Sequence, residues 1–307
     1  MLKLNSRVAA LCGLALLFSC EQDQNQSFKP VDDSPVFMEF PGGSSSRGRV
    51  GADGNYAVLM AEYITTGESD QVGRTVFFSD VGNKKLSGDF VPGLDLDGTT
   101  DVSYYVDQSR PSADLAVGVS TAAIDRAMST WDNVTCSELG LYKVPYNPAI
   151  STGYISALLG FGGSFGYTAD VVHAGWMPGL FFDFLAQDGS TFILGVTFTI
   201  IFTDNDGNPV DTNNDGRADV AWREIYYNDA FLWQDGATFD VETIALHEAG
   251  HGLSQAHFGK AFVNNSNGKL HFAPRAVMNA TYSGVQTTIG ATDNGGHCSN
   301  WASWPAE

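Results

Sequence analysis

The run His247-Glu248-Ala249-Gly250-His251-Gly252-Leu253-Ser254-Gln255-Ala256-His257 constrains this chain more than any other feature. Residues four apart on an α-helix are turned by only about 40°, so a helix through this run points His247 and His251 to one side. His257 can join them only if the helix stops after Gly252 and the chain turns back. Asp240 stands where an N-cap belongs, which predicts a helix over residues 239–252. Three of the six histidines fall within these eleven residues. Three imidazoles suit one tetrahedral metal ion at about 2.0–2.1 Å per bond and leave a fourth position for water. Glu248, next to the first ligand, reaches toward that water rather than the metal. A structural site needs ligands but no base, so the set points to catalysis, with zinc favoured for hydrolysis.

The spacing resembles the metzincin metallopeptidases, whose pattern is H-E-x-x-H-x-x-G-x-x-H with a downstream Met-turn. Twenty-one residues beyond His257, Ala276-Val277-Met278-Asn279-Ala280-Thr281-Tyr282 resembles the Met-turn of the matrixin branch. Residues 122–131 resemble the first matrixin helix, with Ile124, Met128 and Trp131 recurring at i, i+4 and i+7 and Ser120 or Thr121 available as cap. Gly195 to Thr203 resembles the edge strand that aligns substrate, and Glu224 to Asp229 the strand before the active-site helix. The resemblance spans about residues 101–282. It implies a zinc endopeptidase acting on a protein or peptide. It implies a mixed α/β fold: a twisted, mostly parallel sheet with an antiparallel edge strand, a long active-site helix and a small C-terminal subdomain. The chain departs from the family at Ser254, where Gly is usual: either Ser254 takes a positive φ, or the turn is reshaped and Gly252 takes the strain. Asn294-Gly295-Gly296-His297-Cys298 is poor helix material, so the C-terminal subdomain is expected to be irregular. The competing reading is a catalytically inactive, zinc-containing surface adhesin or binding lipoprotein.

The N-terminus has the pattern of an export signal. Lys3 and Arg7 precede an apolar run from Val8 to Phe18, shorter than the roughly 20 residues that span a bilayer. Leu17-Phe18-Ser19-Cys20 resembles the lipobox of bacterial lipoproteins. It implies a signal peptide over residues 1–19, lipidation of Cys20 and a place in the cell envelope. Of four cysteines, Cys12 leaves with the signal and Cys20 carries lipid. Cys136 and Cys298 remain in an oxidising compartment, where a disulfide is the economical reading and two free thiols the alternative. Residues 20–97 read as a tether plus a small β-rich or pro-like region. Its strand candidates are 57–60 and 75–78, and the catalytic domain follows at 98–307. This segment holds no cysteine after Cys20, so any inhibition by it must use a carboxylate such as Asp95 or Asp97, or simple occlusion.

A net charge of −19 argues against a nucleic-acid partner. Asp211, Asn213 and Asp215 with Gly216 match the first half of a calcium loop, but Trp222 stands where the closing Glu should be. A shorter loop completed by Asp219 is expected to hold calcium, against the alternative of an ion-free Asx-rich turn. His173, His271 and His297 are isolated and read as structural. The chain is expected to be a monomer.

Overall fold

Period-2 burial organises this chain. A computed structural model describes residues 28–41, 55–78, 88–94 and 96–305. The expected signal segment, Cys12, Cys20 and Asp95 lie outside the described residues. The strands are β1 (Phe28–Pro30), β2 (Val36–Phe37), β3 (Asn55–Thr65), β4 (Thr75–Phe77), β5 (Val102–Val106), β6 (Leu141–Lys143), β7 (Val171–Met177), β8 (Ile193–Thr203), β9 (Val220–Asn228), β10 (Lys260–Asn264) and β11 (Leu270–Ala273). The helices are α1 (Val117–Asp132), α2 (Tyr154–Leu158), α3 (Leu180–Asp183), α4 (Val241–Gly252) and α5 (Ala291–Trp301). Eight strands form one mixed sheet in the order β2-β4-β3-β8-β9-β7-β5-β6. The chain is therefore mixed α/β. From β9 through β7 and β5 to β6 all neighbours are parallel, whereas β8 runs antiparallel to β9. Parallel strands bury both faces, and every residue of β7 and β9 is buried, including Arg223, Glu224 and Asn228 of β9. Ile225 and Val171 pack against α4, while Val196, Phe198, Tyr226 and Val172 belong to the second core with Phe181 and Phe182.

The two long helices follow the sequence pattern, with one shift. Ile124, Met128 and Trp131 are the buried stripe of α1. The helix begins earlier than the cap residues suggested, after Ala116. Ser120 therefore lies inside it and its hydroxyl donates back to the Val117 carbonyl at 3.1 Å. Asp240 caps α4, accepting from the Thr243 N–H at 2.9 Å.

Two expectations are corrected. β8 is not an edge. β3 pairs antiparallel with it from Asn55–Thr203 to Thr65–Ile193, so the expected small β-rich or pro-like region, with its strand candidate 57–60, supplies the outer neighbour. The nearly continuous apolar run Tyr56–Ile64 suits burial on both faces, and an open β8 edge would leave its N–H and C=O groups unpaired. β1 likewise joins β10 and β11 in a small antiparallel sheet. Second, the glycine-rich segment before Cys298 is helical, within α5. Tertiary contacts override its weak propensity. The Asp293 carboxylate accepts from the Gly290 N–H, His297 stacks on Trp131 at 5.6 Å, and the Trp301 indole donates to the Leu253 carbonyl. Cys136 and Cys298 are bonded, with Cα atoms 5.7 Å apart, which fastens α5 to the loop after α1. Among the described residues no helix is long and apolar enough to cross a membrane.

Candidate metal centre

His247, His251 and His257 converge. The His247 Nδ1 lies 2.8 Å from the Val277 carbonyl and the His251 Nδ1 lies 2.6 Å from the Gln255 carbonyl. A carbonyl can only accept, so both Nδ1 atoms donate, and in each ring when neutral the Nε2 lone pair is left for a cation. The His251 Nε2 sits 3.1 Å from that of His247 and 3.2 Å from that of His257. When both rings are neutral the His247 and His251 lone pairs face each other and cannot hydrogen-bond, and a cation between them would relieve the repulsion. Tetrahedral zinc at about 2.0–2.1 Å places its nitrogens roughly 3.3 Å apart, close to the two separations from His251. Burial lowers His247 and His257 well below the usual imidazole range, and His251 lowers each further, so both are neutral ligands.

The return of the chain after α4 depends on Ser254. Its φ is 64°, in the left-handed region, which is the first of the two expected alternatives. Such a conformation costs a non-glycine residue on the order of 1–3 kcal/mol. Its hydroxyl recovers part of this by accepting from the buried Arg223 guanidinium at 3.0 Å, and the same nitrogen donates to the Gly252 carbonyl. Gly250 is required by close approach. A Cβ there would stand 2.3 Å from the Met278 sulfur and 3.1 Å from the Trp131 ring, so Met278 packs directly beneath the ligand helix. The turn bearing Met278 is held by Asp293 of α5, which accepts the Val277 and Met278 N–H groups at 3.1 Å each. Nothing local in the sequence marks Asp293, which acts across the fold.

Glu248 is buried beside the ligands. Its Oε2 accepts from the Thr197 hydroxyl at 2.6 Å, while Oε1 has no hydrogen-bond partner among the described residues. Burial pushes its carboxyl up to about 7; Glu62 adds to the shift, and His251 and Thr197 oppose it. A carboxyl near neutrality with one free oxygen can accept and return a proton.

A second acid was missed by sequence reasoning. Glu62 of β3 is buried, with Oε2 3.3 Å from the His251 Nδ1 and Oε1 accepting from the Thr75 hydroxyl. Burial works to raise Glu62, but His251, His257 and Arg223 outweigh it and hold the carboxyl below its ordinary range. Burial likewise works to lower His251, and Glu62 reverses the shift. The signal was present: one charge inside the otherwise apolar run Tyr56–Thr65 must have a partner if that run is buried.

The other candidates lie apart. His173 is in the core, bonded to the Tyr227 hydroxyl at 2.8 Å and lowered by burial to about 3. His297, lowered by burial to about 4, stacks on Trp131, and His271 sits on β11 against Phe28. In the acidic loop, Asp211 accepts the N–H groups of Asp215 and Gly216, Asn213 accepts that of Asp215, and Asp219 accepts that of Thr212. These are the bonds of an Asx-rich turn. Among the described residues, the three histidines are the one group of three or more His, Cys, Asp or Glu side chains whose donor atoms converge.

Comparison with protein-family models and with curated protein sequences gives no match.

Proposed function

We propose that this chain is a zinc endopeptidase of the metzincin type, with a matrixin-like Met278 turn, tethered to the cell envelope through Cys20. The observation that carries the reading is the pairing of two features: three imidazoles whose ring nitrogens converge, and a buried carboxyl beside them whose Oε1 has no hydrogen-bond partner among the described residues. Ligands alone would serve a structural ion, whereas the Glu248 carboxyl near 7 has no structural task there.

Zinc in this site supplies Lewis acidity, acidifying water and polarising a peptide carbonyl. The chain's residues supply the rest. Thr197 holds Oε2 of Glu248 and so fixes the direction of Oε1. Oε1 takes the proton of the attacking water and passes it to the departing amine nitrogen, leaving Glu248 unchanged after each turnover. Gly195 makes room for this carboxylate, since a Cβ there would lie 3.0 Å from Oε1. An extended peptide could add a strand to β8 only where β3 does not already occupy that edge. The inactive lipoprotein reading draws support from one observation, that β3 already pairs with that strand.

The two readings part on hydrolysis. Zinc-loaded full-length protein is incubated with casein and a broad peptide library. It is tested both intact and after cutting of the exposed 67–71 turn between β3 and β4, with and without a chelator. Chelator-sensitive cleavage by either form supports the proposal. Stoichiometric zinc with no cleavage by both forms overturns it in favour of the binding protein. Anchoring is tested separately: Cys20→Ser protein is expected to lose incorporated radiolabelled fatty acid and detergent partitioning, and equal partitioning of both forms would refute lipidation.

A further inference from the structure

Arg223 of β9 is a fully buried cation that the proposed chemistry does not use. Burying a guanidinium is costly unless its donors are satisfied. Its hydrogen bonds go to neutral acceptors. Nε donates to the Thr199 hydroxyl on β8, one terminal nitrogen to the Gly88 carbonyl, and the other to the Gly252 carbonyl and the Ser254 hydroxyl. Burial lowers the guanidinium to about 10, with Glu62 and Asp89 opposing, so it stays charged at neutral pH. Two of the bonds land where α4 ends and the chain turns back to His257. A helix leaves its last carbonyls without partners, and a cation there meets the negative end of the helix dipole. Four successive carbonyls here each accept from a different side chain. Gly252 accepts from Arg223, Leu253 from the Trp301 indole at 2.9 Å, Ser254 from the Asn300 amide at 2.8 Å and Gln255 from His251. Beyond His257, the Phe258 N–H donates to the Met278 carbonyl at 2.8 Å. His257 thus stands between a reversal gripped from β9 and α5 and a residue pinned to the Met278 turn.

We propose that Arg223 is a positioning residue for the third ligand, assisted by Asn300 and Trp301 of α5. Together they impose the left-handed turn at Ser254 and so set where the His257 Nε2 stands. The proposal rests on the reading of the triad as a zinc site. The residues of the turn do not by themselves favour it, because Ser254 carries a side chain where the left-handed region favours glycine. The same side chain gives Arg223 a hydroxyl to hold, which glycine would not. The planar guanidinium reaches Gly88, Gly252 and Ser254 at once, and the point charge of a lysine cannot reproduce that fork. None of these bonds goes to a ligand ring, so Arg223 acts on the metal only through the backbone it holds. Because it also ties β8 and the segment at Gly88, the sheet itself fixes the third ligand, from outside the eleven-residue motif.

The test is a double-variant cycle on zinc affinity in the full chain. Wild type, Arg223→Gln, His257→Ala and the pair are titrated with zinc against a fluorescent chelator. Cobalt(II) absorption reads the coordination geometry, and circular dichroism with a denaturation midpoint of the metal-free protein reads folding. Arg223→Gln is expected to bind zinc roughly 10- to 100-fold more weakly, the usual cost of losing a group that orients a ligand. Its cobalt spectrum is expected to move toward that of His257→Ala. Once His257 is alanine, the same Arg223→Gln change is expected to cost no more than about 3-fold, because the ligand it positions is gone. The cycle is repeated with Asn300→Ala, which removes one bond from a half-buried side chain and leaves the sheet untouched. That change is expected to weaken zinc by roughly 2- to 10-fold, again only while His257 is present. It decides alone if Arg223→Gln does not fold. Wild-type affinity in both variants overturns the proposal, and so does an equal loss with and without His257, the mark of a merely structural role. Wild-type protein that takes up no zinc overturns it together with the reading of the triad. Coupled loss of zinc in a protein that hydrolyses no peptide leaves the positioning role intact and removes the endopeptidase reading.

Discussion

In the zinc-loaded protein, Glu248→Gln is expected to keep its zinc and lose turnover by roughly 10²–10⁴-fold, the usual worth of a positioned general base. In the proposed site the metal would be held by His247, His251 and His257, whose ring nitrogens converge without a contact from Glu248. Its Oε2 accepts from the Thr197 hydroxyl, a bond glutamine can also make. The substitution is nearly isosteric and replaces a carboxylate that burial disfavours, so the fold is expected to be at least as stable as wild type at pH 8. Metal analysis, a denaturation midpoint and kcat on a common peptide check all three. Wild-type kcat in this variant would remove Glu248 from the mechanism. Loss of zinc would make it a ligand or a structural support instead.

The second large effect concerns the bridge. Cys136 and Cys298 are 162 residues apart in sequence. In the chain-entropy treatment a loop of that length is worth about 5 kcal/mol, an upper figure for a bond whose removal typically costs 2–5 kcal/mol. The Cys136→Ala/Cys298→Ala double variant is expected to lose that stability by denaturant titration. It is also expected to bind zinc less tightly. The bridge fastens α5, and α5 carries Asp293, whose carboxylate holds the Val277 and Met278 N–H groups. The Val277 carbonyl in turn accepts from the His247 Nδ1. Release of α5 therefore loosens both the floor of the site and the orientation of a ligand. An unchanged midpoint would contradict this chain of support.

What the sequence made legible follows from distance along the chain. The ligand helix, its Asp240 cap and the return to His257 are set by spacings of ten residues or fewer, where helical geometry leaves little freedom. The left-handed Ser254 is one of the two outcomes the same local constraint allows, and the disulfide followed from elimination among four cysteines. The pairing of β3 with β8 joins residues more than 120 positions apart, and no local pattern specifies which strand covers an edge. Glu62 was hidden for the same reason, since its partner His251 is close only in the folded sheet. α5 was misread because its helicity depends on Asp293, the Trp131–His297 stack and the bridge rather than on propensity. The start of α1 moved because its first turn lacks a side-chain cap, which leaves no sequence mark.

The central claim is that three imidazoles hold one zinc ion. X-ray absorption with metal quantification on the full chain and on His257→Ala tests it most directly. The account predicts one zinc per wild-type chain with three imidazole nitrogens at about 2.0–2.1 Å, and a severe loss of affinity when His257 is removed, because only two ligands remain on α4. Wild-type protein that takes up no zinc, or a His257→Ala variant that binds it as tightly as wild type, would contradict it.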